Sequence, residues 1–181
     1  MDINAQIVLD FWFDETTRPH WFAAGESFDR VIAERFGTLL QQAAAGELVS
    51  WRNLTAGRVA EIIVLDQFSR NVWRDTLRAF SQDGMALVLA QEVLKQADFA
   101  ALPVGQQKFA LMPYMHSESA AIHAEAVPLF TALGDELTLD FELRHKAIID
   151  RFGCYPHRNA ILGRVSRAEE EAFLQQAGSS F

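Results

Sequence analysis

Apolar residues recur every three to four positions along almost the whole chain, and this is the spacing of a helix face. Ile7, Val8, Phe11 and Trp12 form one such stripe near the start. A sustained alternation of apolar and polar residues, which would indicate β-strands, does not occur. The sequence therefore predicts an all-α protein.

Further stretches continue the helical pattern. We predict a second helix from Phe28 that ends near Gly46, and later helices over 59–65, 85–97, 120–133, 137–152 and from Ser166 onward. Gly134 and Asp135 separate two of them, and Ser166 with Glu169 matches a capping box. With no linker in the chain, we predict one domain over residues 1–181, made of about seven to eight stacked antiparallel helices in a bundle or an irregular solenoid. Pro113 and Pro128 fall inside helical patterns, and each is expected to end or kink its helix.

Composition excludes several classes of protein. The net charge of −8 over 181 residues argues against nucleic-acid binding, which needs a basic face. No apolar run approaches the roughly 20 residues that cross a bilayer, and the N-terminus has no secretory signal pattern. Cys154 is the one cysteine, so a disulfide or a cysteine zinc cluster is excluded within the chain, and a cytoplasmic location is expected.

Charge is uneven along the sequence. Arginine and lysine concentrate between Arg144 and Arg167, whereas acids dominate elsewhere. An acidic body with one basic end favours a small anionic molecule or an acidic peptide as the partner.

Three segments combine polar residues with Phe, Met, Tyr and Pro. They are the first polar segment Asp66–Asn71, the second polar segment Met112–Glu118 and the third polar segment His145–Arg164. Burying such polar groups costs free energy unless each is hydrogen-bonded. Each segment is therefore either a structural network or part of a site.

In the first polar segment, Asp66 and Arg70 stand four residues apart in the favourable order for a helical ion pair. One interpretation is a structural pair at the end of a helix. In the other interpretation, Arg70 binds a carboxylate or phosphate through two hydrogen bonds, and Asn71 orients this ligand.

In the second polar segment, His116 and Glu118 are two residues apart. The His-x-Glu pattern of zinc deaminases also needs a Pro-Cys-x-x-Cys motif, which the chain lacks. No metal site and no cofactor are expected. The pair can serve as an acid and base, with Glu118 orienting His116. The alternative is structural, with Ser117 capping the next helix and Glu118 in its first turn.

In the third polar segment, Gly153 is placed for a left-handed helix cap. His157, Arg158 and Asn159 are then expected to start a new helix whose amides point at an anion. The alternative is that these groups bond backbone carbonyls at a tight turn. Cys154 beside basic groups can be an activated thiol or inert packing.

These observations leave three hypotheses. In the first, Arg70, Arg151, His157 and Arg158 hold a small anion or an acidic peptide end, and Asn71, Tyr114 and Asn159 orient it. In the second, the same pocket is a metal-independent enzyme with His116 or His157 as the general base. In the third, the polar segments are structural and a protein partner binds the surface. Exposed aromatics among Trp12, Phe13, Trp21 and Phe22 would suggest a homodimer.

The chain also resembles the bacterial domain-of-unknown-function family 924. The resemblance is carried by Val8–Phe13, by Ile63–Asn71, by the second polar segment and by Arg151–Arg164. It implies a helical fold similar to tetratricopeptide-like superhelices. It implies no reaction and no catalytic residues, and Cys154 stands where an arginine or another polar residue is expected.

Overall fold

The apolar stripes of the sequence fold into α-helices joined by short turns. The computed structural model describes residues 1–23 and 25–179. Its helices are α1 Ile3–Phe13, α2 Glu26–Ala44, α3 Thr55–Ile63, α4 Ser69–Val72, α5 Asp83–Val93, α6 Val104–Met115, α7 Ala120–Leu133, α8 Glu136–Phe152 and α9 Ala168–Leu174. Short 3₁₀ turns lie at Arg18–His20, Val49–Asn53, Leu77–Phe80, Phe99–Ala101 and Pro156–Arg158. These described residues contain no β-strand, so the all-α class is confirmed.

The centre of the molecule is a continuous helix made of α3, the π-helical turn Val64–Phe68 and α4. Counted this way, the described part of the chain holds eight helices. Every residue from 59 to 69 is buried, because α1, α2, α5 and α6 pack around this helix. The main apolar core surrounds it, and a smaller cluster forms around Ile149 and Tyr155.

Helices α6, α7 and α8 pack in sequence against one another. Gly134 adopts a left-handed φ of 74° at the end of α7, and Asp135 then caps α8 by accepting a hydrogen bond from the Thr138 amide at 3.1 Å. The break between the two helices is therefore confirmed. A tetratricopeptide-like superhelix stays a prediction.

Neither proline ends its helix, so that part of the prediction is wrong, and a kink at either position stays a prediction. Pro113 lies inside α6, which continues to Met115, and Pro128 lies inside α7. A proline within a helix removes one backbone hydrogen bond at a cost of about 3 kcal/mol. All residues from 109 to 115 are buried, and we infer that this packing offsets the cost and keeps the end of α6 helical.

The start of the last helix is also predicted one residue too early. Arg167 precedes α9, and the Glu170 carboxylate accepts a hydrogen bond from the Arg167 amide at 2.7 Å. The Ser166 hydroxyl instead accepts a hydrogen bond from the Asn159 side chain at 3.1 Å. The predicted Ser166–Glu169 capping box is therefore wrong, because tertiary contacts engage Ser166.

No helix in residues 1–23 or 25–179 is both long and apolar enough to cross a membrane. Of the four aromatics considered for a partner surface, Trp12 is buried and Phe22 is 67% exposed.

Candidate functional site

A cavity of about 540 Å³ lies between α4, α6, α8 and the 3₁₀ turn Pro156–Arg158. We call it the central cavity. Much of its wall is apolar, formed by Trp21, Phe22, Ala79, Phe80, Met112, Met115, Phe141 and Ile161. Its charged lining residues are the cations Arg70, Arg74, Lys108 and Arg158 and the acid Asp75. An apolar wall with a few polar groups is the usual form of a small-molecule site.

The π-helical turn Val64–Phe68 supplies the buried acid beside this cavity. A π-turn contains one residue more than an α-helical turn, so it shifts the phase of the helix that follows, and such turns are frequent at functional sites. Leu65 and Phe68 pack into the core, while Asp66 and Gln67 hydrogen-bond each other at 2.5 Å. Asp66 is completely buried.

His116 follows the last residue of α6 and pairs with this acid. The Nδ1 atom of His116 lies 2.8 Å from Oδ1 of Asp66. Burial opposes ionisation of Asp66, but Arg70 and His116 together hold the pKa of its carboxyl well below the usual range. Burial, and then Arg70, lower the pKa of His116, so its imidazole is neutral at pH 7. The carboxylate bonded to His116 is therefore Asp66, and the predicted partner Glu118 is wrong.

Arg70 is held between two acids. Its Nη1 donates to Asp66 Oδ1 at 3.0 Å and to Asp83 Oδ1 at 2.9 Å, and its Nη2 donates to Asp83 Oδ2 at 3.0 Å. Nη1 also donates to the Asp66 carbonyl at 2.8 Å. This geometry favours the structural interpretation of the first polar segment.

Arg158 has spare hydrogen-bonding capacity. Its Nη1 donates to Asp83 Oδ2 at 3.3 Å, and its Nε is buried without a hydrogen-bond partner among the described residues. The guanidinium lies 4.6 Å from the Phe80 ring centroid and 4.5 Å from that of Tyr155. The side chain is only 7% exposed, and burial together with Arg70 lowers the pKa of Arg158. Such a desolvated guanidinium interacts strongly with a single negative charge.

Tyr155 fixes the turn that carries Arg158. Its hydroxyl donates to the Met115 carbonyl at 2.5 Å, and its amide donates to Glu118 at 2.7 Å. Glu118 also accepts two hydrogen bonds from Arg164, at 2.6 and 2.9 Å. Burial opposes this ionisation, yet these hydrogen bonds hold the pKa of Glu118 below its usual range. Glu118 therefore links the end of α6 to the third polar segment.

The buried His123 also connects the end of α6 to neighbouring helices. His123 Nε2 donates to the Ser117 carbonyl at 2.9 Å, and its Nδ1 lies 2.7 Å from Glu142. Burial raises the pKa of Glu142. The carbonyl of Ser117 can only accept, so Nε2 carries a proton in this contact.

The remaining histidines of the third polar segment line the central cavity in their neutral form. Burial lowers the pKa of His145 to about 3 and that of His157 to about 4. His157 therefore adds no positive charge at neutral pH. The predicted helix start at His157–Asn159 is also wrong, because Pro156–Arg158 is a single 3₁₀ turn and no α-helix begins there. The segment is a tight turn, as the alternative interpretation has it, but Arg158 and Asn159 bond side chains rather than backbone carbonyls.

The structure brings together only some of the predicted site residues. Arg70, Asn71, His116, His157 and Arg158 line the central cavity. Glu118 lines an adjoining cavity of about 560 Å³ that shares His116 and Arg158 with the first.

Three predicted ligand-binding residues line neither of these cavities. Tyr114 is buried. Asn159 bonds Ser166 at 3.1 Å. Arg151 is exposed, with its guanidinium 4.5 Å from the Phe152 ring centroid.

Comparison with known proteins places the chain in a family. Residues 8–178 match the model described as bacterial protein of unknown function, DUF924. The chain belongs to this family. It is similar to a solved protein of unknown function, ATU0120 from Agrobacterium tumefaciens, with 32% identity and a TM-score of 0.89 over 95% of this chain and 97% of that one. No curated protein matches this family member.

Some features of the site escape the sequence-based prediction. Asp83 lies outside the three polar segments, yet it bonds both Arg70 and Arg158. Lys108 and Phe141 belong to amphipathic helices, and only packing brings them to the cavity. The Asp66–His116 contact joins two polar segments that are 50 residues apart. The sequence could have suggested only that these two segments contain complementary polar groups.

The alternative of an activated thiol at Cys154 gains no support. Burial, and then a hydrogen bond to Glu170, raise the pKa of Cys154, which is the opposite of an activated thiol. Within residues 1–23 and 25–179, no three His, Cys, Asp or Glu side chains are grouped to hold a metal ion.

Proposed function

We propose that the protein binds a small amphipathic monoanion, such as a carboxylate on an apolar chain, in the central cavity. The observation that carries this proposal is Arg158, a largely buried guanidinium that lines an otherwise largely apolar cavity and makes one hydrogen bond among the described residues, to Asp83 at 3.3 Å. A carboxylate offers that guanidinium a charge-assisted hydrogen bond, and an apolar chain suits the aromatic wall.

The charge balance favours a monoanion over a phosphate dianion. At the polar end of the cavity, the cations Arg70 and Arg158 face the acids Asp66 and Asp83. Their formal charges cancel, and the neighbouring His116 is neutral. The other two lining cations are also paired, Arg74 with Asp29 and Lys108 with Asp135. One added negative charge is compensated by the unused capacity of Arg158, whereas two are not. The cavity volume of about 540 Å³ favours a small molecule over a peptide segment.

Isothermal titration calorimetry with octanoate tests this proposal, with 1-octanol as the uncharged probe. We expect octanoate to bind and to raise the melting temperature, and 1-octanol to bind more weakly. Arg158→Met keeps an apolar side chain between Phe80 and Tyr155 but removes the charge. Losing one hydrogen bond to a charged group, about 1.5–3 kcal/mol, should weaken octanoate binding by about 10- to 150-fold.

Arg151→Met is the matched control, because Arg151 also lies against an aromatic ring but lines neither cavity. It should bind octanoate like the wild type. Equal binding of octanoate and 1-octanol, or an unchanged affinity in a folded Arg158→Met, would refute the proposal.

The cytoplasmic location, the acidic peptide partner, the homodimer and the tetratricopeptide-like superhelix stay predictions.

A further inference from the structure

Hydrogen bonds hold the Asp66 carboxylate and the His116 imidazole in one fixed orientation. Asp66 Oδ1 accepts from His116 at 2.8 Å and from Arg70 at 3.0 Å, while Oδ2 accepts from Gln67 at 2.5 Å. The carboxylate is completely buried, and three donors hold it. It therefore fixes the plane and the orientation of the imidazole.

This contact also fixes the tautomer. An ionised carboxylate only accepts hydrogen bonds, so His116 Nδ1 must carry the proton. In the neutral imidazole, Nε2 then has a free lone pair. Nε2 has no hydrogen-bond partner among the described residues, and His116 lines both cavities. An oriented and accessible imidazole nitrogen is the arrangement of a general base.

Arg158 and His116 line the same two cavities. Asp66 bonds both His116 and Arg70, and Asp83 bonds both Arg70 and Arg158, so these side chains form one connected network. A guanidinium with unused donors can stabilise an oxyanion that forms beside the base. His116 hydrogen-bonds no serine, threonine or cysteine in the described residues, so the reaction proposed below uses water as the nucleophile.

We propose that the Asp66–His116 pair is the general base of a carboxylic ester hydrolase whose substrate acyl chain occupies the central cavity. The inference rests on the proposed function, because the product is the amphipathic carboxylate that Arg158 would hold. His116 would be the catalytic residue and Asp66 a positioning residue.

The reaction balances with water as the co-reactant. His116 Nε2 takes a proton from water while the water oxygen bonds the ester carbonyl carbon, and the carbonyl π electrons move to oxygen. The resulting oxyanion lies against Arg158. The carbonyl then re-forms, the bond to the alcohol oxygen breaks, and that oxygen takes the proton from Nε2. One carboxylic acid and one alcohol are formed, and the acid releases its proton to solvent.

Hydrolysis of p-nitrophenyl octanoate tests this step. We expect the wild type to turn over and His116→Gln to lower kcat by about 100-fold or more while leaving octanoate affinity unchanged. Asp66→Asn should lower kcat more than it changes KM, and Asp140→Asn, at an exposed acid that lines neither cavity, should behave as the wild type. No turnover above buffer, or full activity in His116→Gln, overturns the inference.

A second measurement does not depend on a folded variant. Nitrogen-15 NMR of wild-type histidines at pH 7 should show a neutral His116 with its proton on Nδ1, whereas a proton on Nε2 overturns the assignment. If octanoate binds but the ester is not hydrolysed, the proposed binding function stands and the general-base role of the Asp66–His116 pair is refuted. Loss of both would reject the two proposals together.

Discussion

Replacing Asp66 by asparagine tests the network at its most buried point. The substitution keeps the size of the side chain and removes its charge. Asp66 accepts hydrogen bonds from His116, Gln67 and Arg70, and asparagine keeps only one acceptor oxygen. Its amide group then faces at least one donor, which leaves a buried polar group unpaired.

The expected loss follows from these contacts. Losing one charge-assisted hydrogen bond and weakening the others gives a decrease in the free energy of unfolding of about 2–4 kcal/mol. The loss stays in this range because Arg70 keeps its two hydrogen bonds to Asp83. Asp140→Asn is the matched control, since Asp140 forms an ion pair with Arg144 at the same spacing but both side chains are exposed. It should cost less than about 1 kcal/mol.

Urea unfolding at pH 7, followed by tryptophan fluorescence and circular dichroism, measures both variants. The difference between wild type and Asp66→Asn should also shrink at low pH. The folded pKa of Asp66 is depressed, so its contribution is complete above the unfolded pKa of about 4 and is lost as pH falls toward the folded value. A loss below about 1 kcal/mol, or one equal to that of Asp140→Asn, would refute the argument.

Three further predictions test other parts of the structure. Gly57→Ala should destabilise the protein by several kcal/mol, because its Cβ would lie 2.1 Å from the Trp51 carbonyl oxygen. Gly37→Ala, whose Cβ would meet nothing within 4 Å, should be neutral or stabilising by up to about 1 kcal/mol. Thermal unfolding compares the two variants. NMR titration should find His145 neutral down to about pH 3. Because its folded pKa is lowered, the free energy of unfolding should fall as pH drops below about 6.5, the unfolded value. Alkylation at pH 7 should modify Cys154 more slowly than free cysteine, because its raised pKa leaves less thiolate; an equal rate would contradict the pKa shift.

The helices were predictable because their signals are local. The predicted pair 120–133 and 137–152 corresponds to α7 and α8, with Gly134 between them. Errors arose where tertiary packing outweighed a local preference. Pro113 stays helical because its surroundings are buried, and the turn after Tyr155 forms no helix because Tyr155 is tied to Met115 and Glu118.

The site was predictable only as a set of residue types. The polar segments supplied Arg70, His116 and Arg158, all of which line the cavity, but they also suggested Arg151 and Tyr114, which do not. Sequence spacing alone cannot tell a helix face that lines a cavity from one that packs or lies in solvent. The π-helical turn that carries Asp66 has no simple sequence signal.

The sequence by itself determined the helical class, the boundaries of α7 and α8 to within one residue, and the family, because apolar periodicity, the glycine break and contiguous motifs all lie along the chain. Only the tertiary structure decided which polar groups meet. It paired His116 with Asp66 rather than with Glu118, and it left Arg158 buried with an unused donor. These pairings depend on contacts between residues far apart in the chain, and packing geometry, rather than local preference, selects among the available partners.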